Sequence, residues 1–220
     1  TRTAPSFILP PGPYVFRALR LRPPQMEGWD VYALQTALNA TGADVSPDGV
    51  FGVGTDRAVI SLQTERGLEV DGVAGTATQA KLASILCRRA NRRLSLPGGI
   101  PYGHAEHESS LWLGNHTAPY RNGSRDCGVV QRNTWYHPID GAFDAPLSID
   151  YLASYIADHH SKYAALGVAD RRAWELACGS WNRPAWTDTL ASGGTLPQAD
   201  RTWIESYIDE VTAYVDWSSL

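Results

Sequence analysis

At 220 residues and 24.0 kDa, the chain has room for one ordinary domain or two small ones, at about 100 to 200 residues each. Hydrophobic residues make up 43% and charged ones 19%, which excludes the apolar-poor, highly charged composition of a disordered chain. A net charge of −4 provides no basic field for a nucleic-acid backbone, and no apolar run approaches the roughly 20 residues that span a bilayer.

The first 25 residues hold Pro5, Pro10, Pro11, Pro13, Pro23 and Pro24 with few periodic apolar positions, so residues 1–25 are expected to form an extended arm. From about Met26 the pattern changes. Val31, Leu34, Gln35 and Leu38 recur at helical spacing and Gly42 follows as a stop, which predicts one amphipathic helix. A short repeat comes next: Asp48-Gly49-Val50-Phe51-Gly52-x-x-Thr55 returns 23 positions later as Asp71-Gly72-Val73-Ala74-Gly75-x-x-Thr78. Each copy leads into a helical stripe, first Ala58, Val59 and Leu62, then Leu82, Ile85 and Leu86. The Asp-Gly pair supplies a tight turn with a positive φ at Gly. The second Gly is expected to permit close backbone approach, and the Thr to satisfy orphan amides of the following helix. With the preceding helix this makes a three-helix domain of roughly 60 residues, within the range that folds alone.

Taken together, LQxxL, DGxFGxxT, AVxxLQ, GLxVDGxxGxxT and a closing Leu resemble the peptidoglycan-binding domain type 1 carried by many bacterial and phage wall hydrolases. The resemblance covers residues 28–86, within a domain drawn at 26–87, and implies a module that grips bacterial peptidoglycan. Asp48, Gly49, Gly52, Asp71, Gly72 and Gly75 read first as scaffold, and the motif leaves the binding surface open.

Arg88, Arg89, Arg92 and Arg93 precede Leu96-Pro97-Gly98-Gly99. Cations suit the negative end of a helix dipole, so residues 88–100 read as a helix end running into a linker; an electrostatic grip on anionic wall polymer is the alternative. Residues 101–220 are helical again. Ser148 is expected to cap a helix running to Gly167 with Leu152, Tyr155, Ile156 and His159 on one side. Asp170 is expected to cap another through Trp174 to Cys178, and Pro197 to open a last one bearing Ile204, Ile208, Val211 and Val215. No strand pattern stands out. Between these helices, the stretch from Leu111 to Ala145 is dense in Gly, Asn, Asp and aromatics, the kind of long irregular segment that carries function. Cys87, Cys127 and Cys178 are too few and too far apart for a disulfide framework or a CxxC metal knuckle. They read as free, buried thiols, with a single Cys127–Cys178 bridge as the other reading.

Three motifs flank the irregular stretch: His104-Ala105-Glu106-His107-Glu108-Ser109-Ser110, Gly128-Val129-Val130-Gln131, and Ala177-Cys178-Gly179-Ser180-Trp181-Asn182-Arg183-Pro184. In that order they resemble the lytic transglycosylases of the goose-type lysozyme superfamily, which use a Glu-Ser pair, a Gly-Leu-Met-Gln-like turn and an Ala-Tyr-Asn-like segment. The match spans about residues 100–190. It implies an all-α chain: a three-helix peptidoglycan-binding domain followed by an α-helical lysozyme-like domain over 101–220. It also implies cleavage of the β-1,4 bond between MurNAc and GlcNAc, with no cofactor and no metal.

Glycosidic cleavage needs a proton delivered to the leaving oxygen, and a carboxylic acid does this near neutrality only in a partly apolar pocket. Glu108, near the end of a short helix opened by Pro101, is the candidate acid. Glu106 is its competitor, two positions away and therefore on another side of the helix. Ser109, Gln131, Trp181, Asn182 and Tyr136 are the candidate substrate-binding residues. Gln131 and Asn182 suit sugar hydroxyls and N-acetyl groups. Trp112, Tyr120, Trp135, Tyr136, Trp181 and Trp186 offer rings for pyranose faces, at least half of them expected in the core. Trp181 stands where the family has Tyr, which removes a phenol that would contact the acid. Asp126, Asp140 and Asp144 lie in the right region for a second carboxylate, which a hydrolase uses and a transglycosylase does not.

Two other function classes remain. Wall-binding modules are also fused to zinc amidases and peptidases, and His104 and His107 lie one helical turn apart, although no HExxH-type ligand set is present. A purely adhesive wall protein is the third. The expected whole is a monomeric, bacteriolytic endolysin, secreted or phage-encoded, with peptidoglycan as its partner. High Arg usage, with only Lys81 and Lys162 as lysines, and the lack of a charged-then-apolar leader point towards a phage of a GC-rich host.

Overall fold

The structure, a computed structural model, describes residues 12–137 and 140–220. Pro5, Pro10 and Pro11 of the expected arm lie outside the described residues. The protein is all-α as expected, with eight α-helices and one two-stranded ribbon among the described residues. The residues form two compact units. One holds the described chain up to Leu86 together with Glu108–Ile149; the other holds Cys87–His107 and Asp150–Leu220.

In the first unit, α1 (Trp29–Ala40), α2 (Val53–Arg66) and the start of α3 (Thr76–Leu94) carry the repeat. Val31, Leu34, Leu38, Phe51, Val59, Leu62 and Leu82 close its core. Gly49 and Gly72 have φ of 75° and 69°, as the Asp-Gly turns require. Each turn is organised by a buried glutamine on the preceding helix. Gln35 Nε2 donates to Asp48 Oδ1 (3.0 Å), Val50 O (3.0 Å) and Thr55 Oγ1 (3.1 Å), and its Oε1 accepts from Gly49 N (2.8 Å). Gln63 repeats the set with Asp71 (2.8 Å), Val73 O (3.0 Å) and Thr78 (3.3 Å), and accepts from Gly72 N (3.0 Å). The threonines therefore serve the glutamine amides and do not cap the helices. Gly52 and Gly75 do not mediate tight contacts either, since a Cβ at Gly75 would meet nothing within 4 Å and one at Gly52 only the Gln25 amide at 3.5 Å.

The segment after Pro11 packs on this unit. Leu19 pairs with Ala74, and Arg17 Nε reaches the buried Asp30 at 2.6 Å. The 111–144 stretch is tied to α1 in turn: Trp29 Nε1 donates to Gly114 O at 2.8 Å and Thr36 Oγ1 accepts from Ala145 N at 3.2 Å. Within the stretch, β1 (Asp126–Cys127) and β2 (Arg132–Asn133) pair antiparallel. These two-residue strands are too short to show a period of two in sequence.

In the second unit, α6 (Asp170–Ser180) packs against α7 (Pro184–Ala191) and α8 (Gln198–Thr212). Ile204, Ile208 and Val211 form the buried stripe of α8, whereas Val215 lies beyond its end. α5 runs Ala145–Ala165, four residues earlier than a Ser148 cap would place it. Asp144 takes that role, its Oδ1 accepting from Leu147 N at 3.1 Å. Asp170 does not cap α6 from outside; it lies in the first turn and bonds His160 at 2.8 Å. The Pro97-Gly98-Gly99 segment forms a packed turn, with Asp216 N donating to Gly98 O at 2.9 Å. All three cysteines are free and buried. Burial raises the thiols, those of Cys87 and Cys127 to about 12.

Candidate functional site

α4 (Ile100–Ser109) starts at Ile100, packed fully in the core, with Pro101 just inside its first turn, where a missing N–H costs nothing. Its last two residues, Glu108 and Ser109, belong to the first unit. Ser109 is buried, and its Oγ donates to Val129 O at 2.7 Å. The bond fastens the helix end that carries Glu108 to the Gly128–Gln131 turn. Val129 and Val130 are both fully buried and serve the turn as packing.

The turn itself is tight. Gly128 has φ 79°, and a Cβ there would stand 1.9 Å from Ala142 O. Gln131 closes the turn with backbone and side chain, its N and Nε2 donating to Gly128 O at 3.1 and 2.8 Å. Its Oε1 has no partner among the described residues. Ser110, Leu111 and Gln131 have φ of 53°, 62° and 49°. They are three of the four left-handed non-glycine residues of the described chain, the fourth being Ser95. Such conformations cost about 1 to 3 kcal/mol each and concentrate at functional sites. Here they bracket Glu108 and the turn.

A polar cluster lies on the adjoining ribbon. Asp126 accepts from Tyr120 OH and, at 2.8 Å, from Asn133 Nδ2. Partial burial, the Asp126 carboxylate and the negative charge of Glu108 push the Tyr120 phenol up to about 12, so Glu108, Tyr120 and Asp126 share one electrostatic neighbourhood. Tyr120, Trp135 and Tyr136 are 46, 62 and 77% exposed. Asp126 was a sequence candidate. Asn133 was not, and its only signal is its place among the Asn and Asp of the irregular stretch.

The third motif lies in the second unit. Trp181 is buried against Tyr151 and Tyr155, with ring centroids 6.0 and 5.4 Å away. Asn182 is half-buried, its Oδ1 accepting from Arg183 Nη1 at 2.8 Å. The Arg183 guanidinium in turn lies over the Trp186 and Trp203 rings. Of the six aromatics named from sequence, only Trp181 is fully buried, so the expectation that half would be core does not hold. The irregular stretch exposes its rings.

The histidines of α4 are engaged elsewhere. His104 is fully buried, its Nδ1 3.0 Å from Ile100 O and Nε2 3.2 Å from Cys178 O. Desolvation lowers it to about 4, so the ring is neutral. His107 Nδ1 is 3.0 Å from Glu210 Oε2. Among the described residues, no group of three or more His, Cys, Asp or Glu is placed to hold a metal, and no helix is long and apolar enough to cross a membrane.

Fold and site together define a helical protein built around a repeated turn-and-helix module. Residues 27–82 match the family described as "Putative peptidoglycan binding domain", so the chain carries a peptidoglycan-binding domain. A curated relative, the "Probable N-acetylmuramoyl-L-alanine amidase" of Bacillus licheniformis, is 36% identical over 80 residues, which cover 34% of this chain and 23% of that protein. The chain thus spans less than a quarter of the relative's length.

Proposed function

We propose that the chain is a peptidoglycan hydrolase that holds the wall through residues 27–82 and cleaves the MurNAc-GlcNAc β-1,4 bond with Glu108 as general acid. The observation that carries this function is the 2.7 Å bond from Ser109 Oγ to Val129 O, which joins the Glu108 end of α4 to the Gly128–Gln131 turn. In the reaction, protonated Glu108 gives its proton to the glycosidic oxygen as the C1–O bond breaks. The anomeric carbon is then captured by water, leaving a reducing end, or by the substrate's own C6 hydroxyl, leaving a 1,6-anhydro end, and the deprotonated Glu108 takes up the proton that the attacking oxygen releases. Gln131 Oε1 supplies a hydrogen bond to an N-acetyl or hydroxyl group, and Tyr136 presents a ring to a pyranose face. Ser109 acts as a strut, and Trp181 as the packed support beside Asn182. The protein acts as a monomeric endolysin, secreted or phage-encoded.

An amidase is the second reading, favoured by the similarity to the Bacillus licheniformis protein. Mass spectrometry of fragments released from purified walls separates the two. A glycosidase yields disaccharide-peptides with reducing or anhydro ends, whereas an amidase yields free stem peptides and intact glycan strands. Glu108→Gln should abolish release while the protein still sediments with walls, and Glu106→Gln should keep most activity. Swapped outcomes reassign the acid, and free stem peptides overturn the glycosidase.

A further inference from the structure

Within the peptidoglycan-binding module, a cavity of about 430 Å³ lies between the loop after α1 and one face of α2. One wall is built from Thr41–Val45 and the other from Arg57, Ser61 and Glu65, spaced i, i+4, i+8 and therefore stacked along a single helix face. The loop wall is fixed in place. Asn39 Nδ2 donates to Val45 O at 2.8 Å, Val45 N donates back to Asn39 Oδ1 at 2.9 Å, and Thr41 Oγ1 donates to Leu38 O at 2.8 Å. Leu62, buried, contributes an apolar floor.

The charges in this groove are distinctive. Arg57 and Asp44 both line it and are exposed, and among the described residues neither side chain has a hydrogen-bond or ion-pair partner. Glu65 accepts from Ser61 Oγ at 3.0 Å through one oxygen, which leaves the other available. A preformed groove with one unpaired cation and two carboxylates complements a ligand that carries both a carboxylate and an ammonium. Peptidoglycan glycan is neutral and polyhydroxylic, whereas its stem peptides carry free carboxylates and, before cross-linking, the side-chain amine of a diamino acid. We propose that this groove is the module's binding site for the stem peptide, with Arg57 pairing a peptide carboxylate and Asp44 and Glu65 receiving the ammonium.

The inference rests on residues 27–82 holding the wall, and the test separates the two. The full-length protein is incubated briefly on ice with purified walls and sedimented, with a synthetic stem tetrapeptide or a neutral N-acetylglucosamine oligosaccharide as the glycan competitor. Two variants probe the groove. Arg57→Glu reverses its cation. Gly54→Phe fills it, and the helix accepts that change because a Cβ at Gly54 meets nothing within 4 Å. Each should weaken wall binding about tenfold, the scale of one charge-assisted hydrogen bond, with an unchanged far-UV spectrum. The tetrapeptide should displace the protein and the glycan should not. Wild-type binding by both variants, or displacement by glycan alone, overturns the groove while leaving wall binding intact. Failure of the unaltered protein to sediment with walls overturns the wall-binding reading itself.

Discussion

Replacing Gln35 with Leu tests whether the glutamine amide, rather than the turn residues alone, holds the first Asp-Gly loop. The leucine fits the buried site by volume but removes both ends of the hub. Gly49 N–H, buried, loses its 2.8 Å acceptor, and Thr55 Oγ1, also buried, loses its 3.1 Å donor. Asp48 is exposed and recovers its bond from water. A buried polar group left without a partner costs about 1 to 3 kcal/mol, so two of them cost about 3 kcal/mol, offset only slightly by the added apolar contact. That is a large part of the 5 to 15 kcal/mol typical of a folded domain. The repeat provides an internal comparison: Gln63→Leu strips Gly72 N–H of its acceptor, while Thr78 Oγ1 keeps its 3.3 Å bond to Val73 O, so this variant should cost somewhat less, about 2 kcal/mol. Urea unfolding gives both values, read as a midpoint shift at constant slope. A loss below about 0.5 kcal/mol in either variant would refute the hub.

Gly128→Ala should destabilise the first unit by at least about 3 kcal/mol, because the new Cβ meets Ala142 O at 1.9 Å and φ is +79°; a soluble variant of wild-type unfolding midpoint would contradict the geometry. His104 contributes stability that is fully present above its unfolded value of 6.5 and lost as pH falls through that value towards about 4, up to about 3 kcal/mol in total. Thermal melts between pH 7.5 and 4 should show a flatter dependence for His104→Gln than for wild type, and identical slopes would exclude burial of the neutral ring. Deleting residues 1–95 removes Trp29 and Thr36 from Gly114 and Ala145, so the remainder should lose near-UV ellipticity. A truncated chain with native tertiary signal and full activity on soluble glycan would show those contacts to be dispensable.

Helices that bury a regular stripe were legible in the sequence. α1 and α8 present Val31, Leu34 and Leu38, or Ile204, Ile208 and Val211, at helical spacing, and Asp-Gly turns punctuate the first two connections. α7 was not legible, because only Thr187 and Ala191 of its eight residues are buried and no stripe forms. The α5 start was misplaced because Asp144 and Ser148 are both good caps, and local chemistry does not rank them. The glutamine hubs were missed for a different reason. Gln35 and Gln63 sit on apolar faces, where a polar side chain reads as a departure from the pattern. Their signal was the recurrence of Leu-Gln ahead of each Asp-Gly loop. At the candidate site, the residue types were legible and their directions were not. Whether Ser109 or Gln131 faces a ligand or a backbone carbonyl depends on Val129 and Gly128, twenty and three residues away.

The wall module and the segment bearing the Gly128–Gln131 turn share one packed unit, with consequences for how the protein handles an insoluble polymer. Asp30, at the head of α1, is held by Arg17 at 2.6 Å and pressed against Gly114, where a Cβ would stand 2.5 Å from the Asp30 Cβ. Trp29 bonds the Gly114 carbonyl and packs on His116, with ring centroids 5.0 Å apart. From there Asn115 O accepts from Gly128 N at 2.8 Å. These contacts run without a break from α1 to the turn, and packed interiors transmit displacement with little compression, so the turn is coupled to α1. A flexible tether raises only the local concentration of substrate, through its length and stiffness. A firmly packed mount also fixes the orientation of whatever the module holds relative to the turn, a contribution that effective concentration alone does not include.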